Sequence, residues 1–153
     1  MKIHLWSFGK THESFIKEGS NLFTKRIENY FPVEWNIIPG PKNGGKMEPV
    51  ILKQKEGEII LSMIAKEDYL VLLDERGKSF SSEAFADFIE KRTVESVKNL
   101  VFLIGGAYGV SETVMQRANL KWSLSTLVFP HQLVRLILVE QIYRACSIMR
   151  HEK

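Results

Sequence analysis

The chain has 153 residues, a length that predicts one domain over residues 1–153. Hydrophobic residues make up 44% and charged residues 25%, which is typical of a soluble globular protein and excludes a largely disordered one. The net charge of +3 is compatible with a polyanionic partner but does not identify one. The single cysteine excludes an intramolecular disulfide. No stretch of about 20 apolar residues and no export signal is visible. We therefore expect a cytoplasmic protein that does not associate with a membrane.

Hydrophobic patterning predicts five strands that alternate with five helices. The predicted strands are residues 3–7, 33–38, 69–73, 100–104 and 121–125, and the third and fourth are continuous apolar runs typical of strands covered on both faces. The predicted helices are residues 13–30, residues 51–64, a segment capped by Ser81, a short segment capped by Ser111 and the segment after Pro130. This alternation predicts an α/β fold, a parallel sheet with helices on both faces.

The loop at residues 40–47 resembles a phosphate-binding P-loop but lacks two of its requirements. Met47 stands where that motif needs Ser or Thr to coordinate Mg²⁺, and Pro41 has no backbone N–H to donate to a phosphate. We therefore reject an ATPase and interpret the loop as a flexible surface segment, made basic by Lys42 and Lys46.

Two further loops are candidates for a ligand site. Residues 105–109, Gly-Gly-Ala-Tyr-Gly, follow a buried strand, and their spacing is equally compatible with a structural turn and with a ligand site. Leu127, Val128 and Phe129 lie in a loop, where apolar side chains need a cover such as another subunit or a purine ring. His131, at the start of the last helix, is either a general base or a residue bonded to the backbone.

Other chemistries find no support in the sequence. The four histidines and one cysteine show no metal-ligand spacing, so we expect no metal. A G-x-S-x-G nucleophile motif is also absent, since the segment beginning at Gly109 fails at its last position. Cys146 lies on an apolar helix face and is interpreted as a core residue.

Several motifs from residue 73 onward follow one another in a specific order. They are Leu73-Asp-Glu-Arg-Gly77-Lys78, Ile104-Gly-Gly-Ala-Tyr-Gly109, Ser123-Leu-Ser125, Phe129-Pro-His131-Gln-Leu-Val-Arg135 and Glu140-Gln-Ile-Tyr143-Arg-Ala145. Together they resemble the RlmH family of the SPOUT superfamily, the pseudouridine N3-methyltransferases of large-subunit rRNA. The resemblance covers nearly the whole chain and is looser before residue 73, where Gly9-Lys10 and Glu56-Gly57 match. In the family a Tyr-His segment follows the position of Lys153.

The resemblance implies a SPOUT α/β fold with a deep C-terminal trefoil knot, a homodimer, and S-adenosylmethionine bound in the knot. The residues expected to contact this cofactor are Leu73, Gly105, Gly106, Gly109, Leu124, Ser125, Thr126, Leu127, Val128 and Phe129. The helix at residues 133–149 is more widely apolar than one buried stripe requires, so we expect it in the dimer interface.

The implied reaction is methylation of N3 of the pseudouridine at position 1915, in helix 69 of 23S rRNA, on the assembled ribosome. His131, Arg135 and Asp74 are candidates for the base or for electrostatic aid. Lys42, Lys46 and Arg144 are candidates for RNA contact, and residues 39–55 hold four lysines against one acid. The alternatives are a SPOUT methyltransferase acting on tRNA or another rRNA site, and a catalytically silent RNA-binding dimer.

Overall fold

A computed structural model describes residues 1–152, in which five parallel strands form one sheet. The strands are β1 (Lys2–Phe8), β2 (Val33–Ile38), β3 (Tyr69–Ser79), β4 (Asn99–Ile104) and β5 (Leu120–Ser123). The helices are α1 (Ser14–Ile27), α2 (Pro49–Met63), α3 (Ser82–Val94), α4 (Glu112–Arg117) and α5 (His131–Met149). The strand order across the sheet is β2-β1-β4-β3-β5.

The helices cover both faces of the sheet, which confirms the predicted architecture. Side chains of α1, α3 and α5 pack in one hydrophobic core and those of α2 and α4 in a second. The apolar run of β4 serves both cores, because successive side chains of a strand point to opposite faces: Phe102 lies in the first core and Leu103 in the second. Within residues 1–152 no helix combines the length and the apolar character needed to cross a bilayer.

The two serine-capped helix starts are confirmed, whereas several other bounds differ, including the start of α2 at Pro49 rather than at residue 51. The hydroxyl groups of Ser81 and Ser111 accept hydrogen bonds from backbone N–H groups three residues on, as N-caps do. Helix α1 ends at Ile27 rather than at residue 30, and β5 begins and ends earlier than predicted. The loop at residues 40–47 is not wholly irregular, since Gly44–Lys46 forms one 3₁₀ turn.

The largest difference is in β3, which continues to Ser79 although its apolar run ends at Leu73. The polar continuation pairs with β5, so that Lys78 lies opposite Trp122 after a register shift that begins at Leu73. An apolar pattern cannot predict this extension, because backbone pairing with a strand some 40 residues later in the chain stabilises it.

The parallel arrangement brings the candidate loops together. The carboxyl ends of parallel strands share one edge of a sheet, and β4, β3 and β5 are neighbours in the strand order. Residues 105–109, which follow β4, and residues 124–129, which follow β5, therefore lie on either side of the point where β3 becomes polar. The trefoil knot and the single domain stay predictions.

Candidate functional site

A cavity of about 220 Å³, here called the inner cavity, opens at the carboxyl ends of β3, β4 and β5. Most of the residues that the resemblance assigns to the cofactor line it: Leu73, Gly105, Gly106, Gly109, Leu124, Ser125, Leu127, Val128 and Phe129. Thr126, which was predicted with them, does not line it, whereas Asp74 does. The fold thus brings residues from three separate segments of the chain to one concave site.

The turn at residues 105–109 presents backbone to the inner cavity. The N–H of Gly109 donates to the carbonyl of Gly106 at 3.1 Å, and Gly109 has a φ of 83°, which side chains disfavour. A Cβ atom at Gly105 would lie 2.9 Å from Cγ1 of Val110. The backbone of Gly109 therefore favours glycine, a side chain at Gly105 would force Val110 to shift, and the absence of side chains leaves room for a ligand beside the turn.

The segment at residues 124–129 forms the apolar wall of the inner cavity. The Ser125 hydroxyl accepts a hydrogen bond from the N–H of Leu127 at 3.0 Å, and the Ser125 carbonyl accepts one from the Ser123 hydroxyl at 3.0 Å. The segment is thus braced, yet Leu127 is 69% exposed and Val128 is 85% exposed. Apolar side chains held in this way mark a surface that a ligand or a partner covers.

Asp74 lies at the rim of the inner cavity and forms an ion pair with Arg76, at 2.9 Å between Oδ2 and Nη2. The backbone N–H of Arg76 also donates to Oδ1 at 2.8 Å. The hydrogen bonds from the Arg76 side chain lower the pKa of Asp74, and burial opposes them. Asp74 is therefore a carboxylate at neutral pH and a weak base.

His131 does not line the inner cavity but contacts Gly105, which does. Its Nε2 is 2.9 Å from the carbonyl oxygen of Gly105, and because a carbonyl only accepts, Nε2 carries the proton. Burial lowers the pKa of His131, the bond to Gly105 opposes this, and the charge of Arg135 lowers the pKa further. The ring is therefore neutral near pH 7, with Nδ1 as its basic nitrogen.

Arg135 is completely buried and does not line the inner cavity. Its guanidinium donates to the Ser7 hydroxyl at 3.0 Å and to the carbonyls of Lys10 at 2.8 Å and Phe8 at 3.3 Å. These bonds occupy the guanidinium that was predicted to act on the substrate, so its catalytic role stays a prediction that the buried geometry does not favour. Arg135 holds α5 to the end of β1 and to the residues directly after it, while His131 holds α5 to the turn after β4.

A second cavity of about 810 Å³, here called the outer cavity, adjoins the inner one. The two share seven lining residues, Leu73, Asp74, Glu75, Gly106, Gly109, Val110 and Phe129. Lys53 of α2 and Tyr108 of the glycine turn also line it.

The residues predicted to contact RNA lie outside both cavities. Lys42 and Lys46 are exposed on the loop after β2, and Arg144 pairs with Glu140 on α5. Of the lysines at residues 39–55, Lys53 alone lines the outer cavity.

Two residues at the site were missed by reasoning from the sequence. Arg76 was not assigned a role, because Asp74 and Arg76 lie on the same face of a strand only if β3 continues beyond its apolar run. Glu56 is only 9% exposed, and its carboxylate would lie 2.7 Å from a Cβ atom at Gly106. Burial raises the pKa of Glu56. The sequence feature that could have identified Glu56 is an acidic residue on an otherwise apolar face of the predicted helix.

Within residues 1–152, no three His, Cys, Asp or Glu side chains are grouped to hold a metal ion.

Comparison with known proteins matches the whole chain. A family model described as "Predicted SPOUT methyltransferase" matches residues 1–153. A protein named ribosomal RNA large subunit methyltransferase H from Cytophaga hutchinsonii is 46% identical over 153 residues, which is 100% of this chain and 98% of that relative. Proteins of the same name are 45% identical over 152 residues in Parabacteroides distasonis, covering 99% of this chain and 97% of the relative, and 44% identical over 153 residues in Lactococcus lactis, covering 98% and 96%.

Proposed function

Since the chain belongs to the SPOUT methyltransferases and, within them, to the RlmH family, we propose that it methylates large-subunit rRNA with S-adenosylmethionine as the methyl donor. The observation that carries this proposal is the inner cavity at the carboxyl edge of the sheet, where a glycine turn faces an apolar wall. The names of the relatives support rRNA as the substrate.

The residues present suit this cofactor. Gly105, Gly106 and Gly109 leave backbone rather than side chains beside the cavity, and Leu124, Leu127 and Phe129 supply an apolar surface for a purine ring. Asp74 adds an ionised acceptor at the rim, suited to hydroxyl groups or to a positive charge. When bound, S-adenosylmethionine supplies a methyl group on a positively charged sulfur, so the protein needs only to align the two reactants.

The reacting nitrogen must lose its proton, and the three predicted residues differ in their fitness for this step. Asp74 is a weak base because of Arg76, and Arg135 is buried in bonds to the protein. His131 is neutral, and its Nδ1 has no hydrogen-bond partner among the described residues. We propose Nδ1 of His131 as the proton acceptor, reached through water, because His131 itself lines neither cavity. The bond from Nε2 to Gly105 fixes the tautomer that this role needs.

The substrate that we propose is N3 of a pseudouridine in helix 69, presented by the assembled ribosome. The lysines at residues 39–55 bind phosphates without reading sequence, and this segment is too small to hold naked RNA tightly. Further contacts with the surface of the assembled ribosome then supply the remaining affinity. The target nucleotide must also leave its stack to reach the inner cavity.

A homodimer built around α5 and α1 is part of the proposal. Leu133, Leu136 and Ile137 of α5 stay partly exposed, and Phe15 and Leu22 of α1 are exposed although both are large and apolar. Such a surface suits a second copy of the chain. A monomer at micromolar concentration by light scattering would contradict the dimer.

The test of function is transfer of labelled methyl from S-adenosylmethionine to ribosomes that lack the modification. We expect labelling of 23S rRNA at one pseudouridine, with far less labelling of protein-free rRNA. Labelling of tRNA, or equal labelling of free rRNA, would refute the assignment. Binding to ribosomes without any methyl transfer would favour the alternative of a catalytically silent RNA-binding protein.

The cofactor site is tested separately by Gly105→Val, with Gly45→Val as a matched control. A side chain at Gly105 meets Val110, whereas one at Gly45 meets no atom within 4 Å. We expect calorimetry to show that Gly105→Val weakens cofactor binding at least about tenfold, while the control binds like the wild type. Equal affinities would place the cofactor elsewhere.

A further inference from the structure

The outer cavity borders the proposed methylation site, so any group within it is a neighbour of the reacting nucleotide. It lies between the polar end of β3, the turn at residues 105–109 and helix α2. Its volume of about 810 Å³ is in the range of cavities that bind molecules of nucleotide size. The proposed chemistry of the inner cavity gives this larger space no role.

Tyr108 gives the outer cavity an aromatic wall. The side chain is 56% exposed although it is large, and it stands at the tip of a turn. That turn is closed by the hydrogen bond from Gly109 to Gly106 and by their bridge, so the ring is carried on a braced backbone. An exposed aromatic ring on a braced turn is a surface on which a nucleic-acid base stacks.

The charges of the outer cavity favour a base over a phosphate. Arg76 is held by Asp74, while Glu75 and Glu112 are exposed carboxylates. Lys53 has no ion-pair partner among residues 1–152, and it is the remaining cation. The lining of the cavity thus has two cations and three carboxylates, and this net negative charge repels a phosphate placed inside the cavity. Carboxylates accept hydrogen bonds from the amino groups of adenine, cytosine and guanine, which uracil lacks.

We propose that the outer cavity binds the base of a nucleotide next to the methylated one, stacked on Tyr108, with its amino group donating to Glu75 or Glu112. Lys53, which has no ion-pair partner among residues 1–152, contacts the phosphate that links this nucleotide to the strand and that stays outside the cavity. The inference rests on the proposed function and deepens it, because it assigns a specificity-determining site for the RNA beside the methyl-transfer site.

The test compares Tyr108→Ala and Tyr108→Phe in methyl transfer to unmodified ribosomes, with Val94→Ala as a control for loss of an exposed apolar side chain. Loss of one stacked base raises KM for ribosomes about tenfold in Tyr108→Ala, and Tyr108→Phe stays near the wild type because it keeps the ring. Cofactor affinity by calorimetry stays unchanged in every variant. Val94 is 79% exposed on α3, away from both cavities, and its variant behaves like the wild type.

A second arm identifies the base. Each nucleotide that flanks the target is replaced in turn by uridine in the rRNA, and KM is measured again. One replacement raises KM for the wild type, and the increase shrinks in Tyr108→Ala because the stacked arrangement is already lost.

The outcomes separate the two claims. Absence of methyl transfer by the wild type refutes the proposed function and this inference with it. Transfer by the wild type with an unchanged KM in Tyr108→Ala refutes the inference alone, as does a Tyr108→Phe variant as impaired as Tyr108→Ala.

Discussion

Gly77 is the position where the addition of a single methyl group should be most damaging. A Cβ atom there would lie 2.5 Å from the carbonyl carbon and oxygen of Lys121 and 2.6 Å from the backbone nitrogen of Trp122. All three atoms belong to the backbone of β5, which cannot move away by a rotamer change as a side chain can. Restoring an ordinary contact requires the two strands to separate by about 1 Å, which disrupts the pairing of Lys78 with Trp122.

The cost of Gly77→Ala follows from these contacts. Overpacking costs about 1–3 kcal/mol, and each lost backbone hydrogen bond adds about 1 kcal/mol. We therefore expect a loss of about 3 kcal/mol in the free energy of unfolding. For a chain of this size that lowers Tm by about 10 °C. Cofactor binding should weaken too, since β5 leads directly into the apolar wall at residues 124–129.

The assay is thermal unfolding followed by circular dichroism, with all variants at one protein concentration. Gly45→Ala is the matched control, because no heavy atom lies within 4 Å of its added Cβ. Its free energy of unfolding should stay within about 0.5 kcal/mol of the wild type. If Gly77→Ala unfolds at the same temperature as Gly45→Ala, the close approach of β3 and β5 is wrong and so is the argument built on it.

Three further predictions concern buried or paired groups. Arg135→Met should lower the free energy of unfolding by about 2–4 kcal/mol, because buried acceptors lose their donors; chemical denaturation measures this, and a loss below about 1 kcal/mol would contradict the bracing role. The pKa of Asp74 is lower in the fold than in the unfolded chain, so its pairing with Arg76 stabilises the fold above the ordinary carboxyl pKa, and that contribution disappears as the pH falls through the lowered value. Arg76→Ala should therefore narrow the difference in Tm between neutral pH and about pH 3, and an unchanged difference would argue against the pairing in solution. Burial raises the pKa of the Cys146 thiol to about 12, so a thiol reagent should modify it only after denaturant is added, and rapid modification of the native chain would show that Cys146 is not in the core.

Much of the architecture is determined locally and could be predicted from the sequence. The apolar runs of β3 and β4 identify strands buried on both faces, and Ser81 and Ser111 identify helix starts, because both signals depend on neighbouring residues alone. The order of motifs from residue 73 onward pointed to the family that the comparisons show. The same motifs directed attention to the residues that surround the inner cavity.

The roles of individual side chains were decided by the tertiary structure. Arg135 reads as a possible catalytic cation, yet it is buried in bonds to residues more than 120 positions away. Neither Tyr108 nor Lys53 carries a functional pattern in its own segment. Both line one cavity only because α2 and the turn after β4 lie at the same edge of the sheet. Periodicity and capping report contacts within a few residues, whereas burial and charge pairing at this site depend on contacts between distant segments, which no local pattern encodes.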